Sequence, residues 1–212
     1  MRTMMNTSQN SWNNDYQRRG RLWGGNATPL PKIPRSSRIL ELGCGDGKTA
    51  ASLVLAGFSV TAVDFSSHAA SLCRNICTDP DRVRILIADV RNTPFRNESF
   101  DIVIASHITG HLSLSGRRHL ASEVLRILAP AGMLCFRDFS TEDFRYGRGK
   151  ETETGTFMRK NGIVTHYFTE VEVLTLFSGL AVQSFIQHRW EMRVRGTVFS
   201  RAEIVVEFKK SA

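Results

Sequence analysis

From residue 37 onward, short apolar runs alternate with stretches of helical pattern. The runs predict five strands, at 37–43, 58–64, 83–89, 100–106 and 133–139. Helices are predicted at 46–57, at 66–77, and from about Ser115 to the Pro130-Ala131-Gly132 turn. Near-continuous apolar strands that alternate with helices indicate a parallel sheet covered on both faces, which is a doubly wound α/β fold.

The pattern changes after the fifth strand. Within about 140–168, Asn161-Gly162 lies between two β-rich arms, which predicts a β-hairpin with a type I′ turn. A further helix and two strands are predicted at 169–180, 181–190 and 196–208. We therefore expect a Rossmann-like, mostly parallel sheet with an antiparallel C-terminal hairpin strand and a small β-hairpin insertion.

The charge of the chain is concentrated before the first strand. Of a net charge of +8, residues 1–38 carry +6, with seven basic residues against Asp15 alone. We divide the chain into a basic N-terminal arm at 1–36 and a single domain at 37–212. A basic arm suits an anionic partner such as nucleic acid, although a solvated tail explains the charge equally well.

Features of secreted, membrane and metal-binding proteins are not evident in the sequence. The N-terminus has no apolar stretch behind its arginine, and no apolar run approaches the ~20 residues of a membrane span. The cysteines lack CxxC spacing and are expected to be reduced thiols: Cys44, Cys73, Cys77 and Cys135. We expect a cytoplasmic protein without membrane contact or metal site.

The turn after the first strand reads LGCGDGKT, residues 42–49, at the place where an open α/β sheet binds its ligand. A P-loop would need glycine at Leu42, and a dinucleotide fingerprint would need one at Lys48. Asp46 would also repel a pyrophosphate at the helix N-terminus. Glycines with acids at the rim instead suit a cationic ligand without phosphate, such as S-adenosylmethionine.

Three carboxylates end three successive strands: Glu41, Asp64 and Asp89. Asp64 follows Gly45 by 19 residues, close to the ~20-residue spacing at which a carboxylate binds ribose hydroxyls. Asp89 is placed to accept from an adenine amino group while the amide of Val90 faces a ring nitrogen. The strand ends therefore predict a nucleoside site.

Five motifs occur in order within 37–139: ELGCGDG, AVDFS, ADVRNTPF, SFDIVIAS and LRILAPAGML. They resemble the successive motifs of the class I S-adenosylmethionine-dependent methyltransferases, whose product from the cofactor is S-adenosylhomocysteine. The resemblance assigns the cofactor to Glu41, Gly43, Cys44, Gly45, Gly47, Asp64, Phe65, Asp89, Val90 and Ser106. Upstream, DYQRRGRLWGG resembles an arm that such enzymes fold over the cofactor, which adds Tyr16 and Trp23.

The second half carries CFRDFS, RYGRGK, FMRKNGIVTHYFT and EIVVEFKK. In order, these are similar to the C-terminal half of the methyltransferase-like enzymes that make 3-methylcytidine in tRNA. The resemblance implies tRNA as partner and an N-methylated base as product. Aromatic and guanidinium planes bind extruded bases, so the expected substrate-binding residues are Phe139, Arg145, Tyr146 and Arg148. The expected catalytic residues, which would orient or deprotonate the acceptor, are Asp138, His107 and Arg137.

Two other functions stay open at the level of the sequence. One is a small-molecule methyltransferase in which the insertion forms a lid. The other is a catalytically inactive, cofactor-binding subunit of a larger assembly. Residues 137–160 carry a net charge of only +1, so an RNA substrate would depend on the N-terminal arm for phosphate affinity. Any need for a protein partner is not readable from the sequence.

Overall fold

The computed structural model describes residues 2–20, 33–77 and 79–212, and of residues 2–7 only the backbone. Trp23 lies outside the described residues. The helices are α1 (Arg2–Arg19), α2 (Lys48–Leu55), α3 (Ser67–Ile76), α4 (Leu114–Ile127) and α5 (Glu170–Leu176), with a 3₁₀ turn at Thr109–His111. The strands are β1 (Ile39–Leu42), β2 (Val60–Asp64), β3 (Val83–Ile87), β4 (Phe100–Ser106), β5 (Leu128–Phe139), β6 (Lys150–Glu153), β7 (Thr156–Met158), β8 (Val164–His166), β9 (Ala181–Val194) and β10 (Thr197–Lys209).

Seven strands form the central sheet in the order β3-β2-β1-β4-β5-β10-β9. The first five pair in parallel, and β10 pairs antiparallel with both β5 and β9. The predicted doubly wound, mostly parallel sheet with an antiparallel C-terminal hairpin is therefore confirmed. The strand order reverses between β1 and β4, and such a switch point opens a crevice at the carboxyl ends of the strands.

Apolar side chains cover both faces of this sheet. On one face, Ala50 of α2 and Cys73 of α3 pack with strand residues such as Ile104. On the other face, Leu120 of α4 and Phe177, which follows α5, are buried in the larger cluster. All four cysteines are buried and none forms a disulfide. Burial on both sides explains why the parallel strands are nearly continuously apolar in sequence.

The fifth strand begins earlier than the sequence predicts. It starts at Leu128, which pairs with Phe100, and the register shifts before Ile102 pairs with Met133. Ala131 takes a positive φ of 58° within this irregular stretch. The predicted Pro130-Ala131-Gly132 turn is thus a distorted part of the strand, because backbone pairing with β4 continues on both sides of it.

The insertion contains the predicted hairpin as β7–β8, and β6 extends it to a three-stranded antiparallel sheet. The β7–β8 turn has the Gly162 amide donating to the Arg159 carbonyl at 3.0 Å. Gly162 has φ of 80°, but Asn161 is not among the residues with positive φ, so the predicted type I′ turn is wrong. The side chain of Asn161 instead donates from Nδ2 to Asp15, and its Oδ1 accepts from the Ile163 backbone amide.

Residues 2–19 form a helix where the sequence predicted an arm. Polar contacts dock it: the Gln9 side chain donates to the Phe65 carbonyl at 2.6 Å, and the Ser66 hydroxyl donates to Asn13 at 2.7 Å. Trp12 and Tyr16 are buried in a small apolar cluster with residues of α3 and the insertion. In the described ranges, no helix is long and apolar enough to cross a membrane.

Candidate active site

A cavity of about 630 Å³ opens at the carboxyl ends of β1, β2, β4 and β5. Its volume falls in the range of sites that enclose a small-molecule ligand. One end is formed by the turn after β1, with Asp64 and Val90 beside it. The other end is formed by the exits of β4 and β5 and by the β9–β10 hairpin. The sheet edge predicted to bind the ligand therefore does contain a cavity.

The three glycines of the turn differ in what they contact. All have positive φ, 71° at Gly43, 55° at Gly45 and 84° at Gly47. An added Cβ would lie 2.6 Å from the Tyr16 hydroxyl at Gly45, and 2.7 Å from the Cα of Cys73 at Gly47. Gly43, Cys44 and Gly45 line the cavity, whereas Gly47 packs against α3. The predicted cofactor role thus has geometric support at the first glycines, while Gly47 allows close helix packing.

Asp64 and Glu41 are buried carboxyl groups in the cavity wall. Asp64 accepts from the amides of Gly45 and Ser66, each at 2.9 Å. Burial nevertheless raises the pKa of Asp64 to about 6. Burial raises the pKa of Glu41 further, to about 8, and its Oε2 atom accepts no hydrogen bond. This oxygen is an available acceptor for an ammonium or hydroxyl group.

Asp89 also lines the cavity, but its carboxylate is paired. It accepts from the Arg91 guanidinium at 2.9 and 2.7 Å and from the Arg91 amide at 3.0 Å. Its predicted contact with an adenine would have to share these oxygens with Arg91. Val90, Phe65 and Ser106 line the cavity as well.

Helix α1 covers the end of the cavity that contains the glycine turn. Trp12 and Tyr16 both line the cavity, and the Trp12 ring meets the His111 ring edge-on at 4.8 Å between centroids. The buried Asp15 pairs with Arg19 and accepts from Asn161 of the insertion. The helix is therefore tied both to the sheet side and to the insertion side of the opening.

His107 follows β4 directly and has a strained backbone with φ of 54°. Its ring stacks on Phe139 with centroids 4.4 Å apart and planes at 29°. Its Nε2 lies 3.4 Å from Glu203, and its Nδ1 lies 3.8 Å from Asp138. Burial lowers the pKa of His107, but the two carboxylates outweigh burial and raise it. His107 is therefore better suited to donate or orient than to remove a proton at neutral pH.

Glu203 of β10 is the acidic centre of the far end of the cavity. It is buried and contacts His107, Arg137 and His188, the last at 2.8 Å. Burial opposes its ionisation, but hydrogen bonds from these three side chains outweigh burial and hold the pKa of Glu203 far below its usual range. An ionised carboxylate therefore lies in the cavity wall.

Asp138 does not line the cavity. Its Oδ2 accepts from the Gly110 amide at 2.8 Å, and its Oδ1 accepts from the Phe139 amide at 3.0 Å. Its fixed position supports the loop that carries His107. Its predicted catalytic role is thus most directly a positioning role, while Arg137 and His107 do line the cavity.

Of the predicted substrate residues, Phe139 lines the cavity and the other three do not. Arg145 places its guanidinium 3.9 Å from the centroid of the Phe139 ring and pairs with Asp143. Tyr146 packs edge-on against Phe157 and Tyr167, and Arg148 lies over Phe144. Of these three, Arg145 contacts a residue of the cavity wall, while Tyr146 and Arg148 are exposed side chains outside the cavity.

Several cavity residues were not assigned from the sequence: Trp12, His111, Arg159, Trp190, Arg201 and Glu203. Trp12 and Tyr16 are four residues apart, a spacing that places both on one helix face. Arg201 and Glu203 alternate with apolar residues in the last strand, so both point to one face of the sheet. These spacings are the sequence signals from which the shared faces could have been predicted.

A family model described as a methyltransferase domain matches residues 39–132. A SAM-dependent methyltransferase from Methanosarcina mazei has a similar structure, with a TM-score of 0.71 at 23% identity, covering 84% of this chain and 94% of its own. Residues 39–132 therefore match a methyltransferase domain, and the chain has the fold of S-adenosylmethionine-dependent methyltransferase structures, in agreement with the resemblance of the five motifs.

Two curated relatives that the chain matches are tRNA methyltransferases. The chain is 28% identical over 193 residues to the tRNA N(3)-methylcytidine methyltransferase of Drosophila melanogaster, covering 84% of this chain and 59% of the relative. It is 28% identical over 198 residues to the tRNA N(3)-cytidine methyltransferase of Gallus gallus, covering 86% of this chain and 54% of the relative. The chain thus spans a little over half the length of these relatives.

Proposed function

We propose that this chain transfers the methyl group of S-adenosylmethionine to N3 of a cytidine in tRNA. The observation that carries the proposal is the far end of the cavity, where the flat His107–Phe139 stack stands beside the ionised Glu203. Similarity to tRNA N(3)-cytidine methyltransferases over most of the chain supports the same acceptor. A cytoplasmic location is part of this proposal.

The near end of the cavity fits S-adenosylmethionine. Asp64 is positioned to bind ribose hydroxyls, and the unpartnered Oε2 of Glu41 is positioned to accept from a cationic group. Gly43 and Gly45 let Ile108 and Tyr16 pack closely against the turn, where an added Cβ atom would clash with them. The bound cofactor supplies a methyl group already activated by a sulfonium leaving group. Catalysis by the protein then rests mainly on holding the acceptor in line with that methyl group.

The far end fits a cytosine acceptor. N3 of cytosine has a lone pair, so attack on the methyl group requires no prior loss of a proton. A protonated His107 is compatible with this chemistry, because no general base is needed. Methylation leaves a positive charge on the base, and the ionised Glu203 offsets that charge as it develops. Phe139 and His107 provide the flat surface against which a base is held.

A small-molecule methyltransferase is the second candidate, favoured by one feature of the cavity. The arginines beside the far end are neutralised by buried carboxylates, Arg137 by Glu203 and Arg201 by Asp143. Little positive charge therefore remains there for phosphate. If tRNA is the substrate, its phosphates bind outside the cavity, at basic side chains such as the exposed Arg18 of α1.

Transfer of a labelled methyl group separates these functions. The purified chain would be incubated with S-adenosylmethionine labelled in the methyl group and with a cell extract divided into RNA and small-metabolite fractions. We expect label in the tRNA fraction, and Asp64→Asn should abolish the transfer. Label only in small metabolites would favour the second candidate. Bound cofactor without transfer to either fraction would indicate an inactive subunit.

A further inference from the structure

The β9–β10 hairpin extends past the end of the strand that supports it. Strand β10 pairs with β5 only over Glu203–Lys209, while it pairs with β9 from Thr197 onward. The six residues 197–202 therefore reach roughly 20 Å beyond the last residue of β5, given about 3.3 Å per strand residue. The chain after β5 supports the base of this segment, where the Ser140 and Phe144 amides donate to the Ala202 and Ser200 carbonyls. Since β5 ends at the cavity, the rest of the hairpin projects at the mouth of the candidate active site.

The face of the hairpin that continues the cavity wall is aromatic and cationic. Cross-strand pairs place Trp190 opposite Arg201 and Met192 opposite Phe199, on the same face as Glu203. The Trp190 ring stacks with His188 at 4.9 Å and 19°. The Arg201 guanidinium lies 5.1 Å from the Trp190 centroid. Trp190 and Arg201 both line the cavity, so this surface is continuous with it.

The charge of the hairpin complements an anionic ligand. Residues 189–201 contain four arginines against Glu191. Arg189 pairs with Glu142 and Arg201 with Asp143, so the charge available to a ligand comes from Arg193 and Arg195. Arg193 and Arg195 are exposed near the tip, where Arg195 and Gly196 both take positive φ and close the turn. Bases would lie on the aromatic face, and phosphates of the same chain would pass Arg195 at the tip, since Arg193 pairs with Val198 on the opposite face.

We infer that this face, formed by Trp190, Arg201 and Phe199, binds the single-stranded nucleotides that flank the acceptor base. Rings and guanidinium planes stack on bases of any sequence, and surrounding arginines bind the backbone. The inference rests on the proposed function and adds to it the element that grips RNA outside the cavity. A duplex, whose bases are stacked on each other, would present no free base face to Trp190.

Fluorescence anisotropy with a short labelled single-stranded oligoribonucleotide tests this surface in the full chain. Trp190→Ala should weaken binding roughly tenfold, a loss expected for one base stack. Trp190→Phe keeps an aromatic face and should retain most of the affinity. Val198→Ala changes the opposite face of the same hairpin, where Val198 pairs with Arg193, and should bind like the wild type. The corresponding duplex should bind the wild type more weakly than the single strand.

Calorimetric binding of S-adenosylhomocysteine, measured on every variant, shows that the cofactor end is intact. If the wild type binds the oligoribonucleotide and Trp190→Ala binds it equally well, the inference is overturned while the proposed function stands. If the wild type binds neither this RNA nor tRNA, the proposed function is overturned with it. Equal losses from Trp190→Ala and Val198→Ala would also reject the surface, since a general defect of the hairpin would then explain both.

Discussion

The Nε2 atom of His107 lies 3.4 Å from the Glu203 carboxylate, across the cavity-side face of the sheet. His107 directly follows β4, and Glu203 lies in β10, with β5 between these two strands. The contact joins the two elements that enclose the acceptor end of the cavity. It also couples their charges, because each group stabilises the ionised form of the other.

Substitution Glu203→Gln should lower the pKa of His107. The wild-type pKa of His107 is raised because Asp138 and Glu203 outweigh burial, and the amide removes one of the two carboxylates. Titration of the imidazole proton signals by NMR checks this, with His107→Gln to assign the resonance. An unchanged His107 titration in Glu203→Gln would contradict the coupling.

Alanine substitutions in the glycine turn should lower the free energy of unfolding by different amounts. Gly147, outside the turn, provides the reference. Gly147→Ala, at φ of 78° with nothing within 4 Å of the added Cβ, measures left-handed strain alone, about 1–2 kcal/mol. Gly45→Ala adds a clash with the Tyr16 hydroxyl, which a side-chain movement can relieve. Gly47→Ala adds a clash with the Cys73 backbone and should lose the most stability. Urea unfolding provides the comparison, and a loss at Gly47 no larger than at Gly147 would refute the packing argument.

Trp12→Ala should weaken S-adenosylhomocysteine binding by about tenfold. Trp12 is buried against Tyr16 and His111, and its loss removes apolar contacts that hold α1 over the glycine turn. Asn14→Ala alters an exposed residue of the same helix and should leave the affinity unchanged. Calorimetry on both variants checks the expected role of α1 as a cover. Equal affinities for Trp12→Ala and the wild type would show that the helix is not needed to retain the cofactor.

Stability without cofactor should fall as pH rises toward 8. Burial raises the folded-state pKa of Glu41 to about 8, so the folded protein holds a proton that the unfolded chain releases near its usual pKa. The protonated Glu41 side chain stabilises the fold fully below that usual pKa, and this stabilisation is lost as pH rises through 8. The loss in the free energy of unfolding is on the order of 5 kcal/mol, at about 1.4 kcal/mol for each pH unit between the two pKa values. Asp64, with a pKa raised to about 6, adds a smaller loss of the same sign.

Urea unfolding at several pH values measures this effect. Glu41→Gln cannot ionise, so its stability should fall less between pH 5 and 8 than that of the wild type. Glu191→Gln, at an exposed position of the hairpin, should follow the wild-type curve. Parallel curves for wild type and Glu41→Gln would contradict the assignment of the loss to Glu41.

The sequence was most informative where local pattern and tertiary structure agree. Apolar runs located β1 to β5, because parallel strands buried on both faces tolerate few polar residues. The turn at Asn161 was mispredicted because the side chain bonds to Asp15, a residue 146 positions away. Helix α1 was missed because Trp12 and Tyr16 are too few to form a recognisable apolar stripe, and polar contacts complete its docking. Glu203 was missed because its role depends on the pairing of β10 with β5, which local spacing does not encode.

Nucleoside analysis of tRNA after incubation with the chain and labelled S-adenosylmethionine tests the central claim most directly. The account predicts label in 3-methylcytidine, and a large drop in its rate of formation with Glu203→Gln, about a hundredfold if the carboxylate offsets the developing charge. Glu207→Gln, on the same strand, should leave the rate near that of the wild type. Label in a different nucleoside, or no label while S-adenosylhomocysteine still binds, would contradict the account.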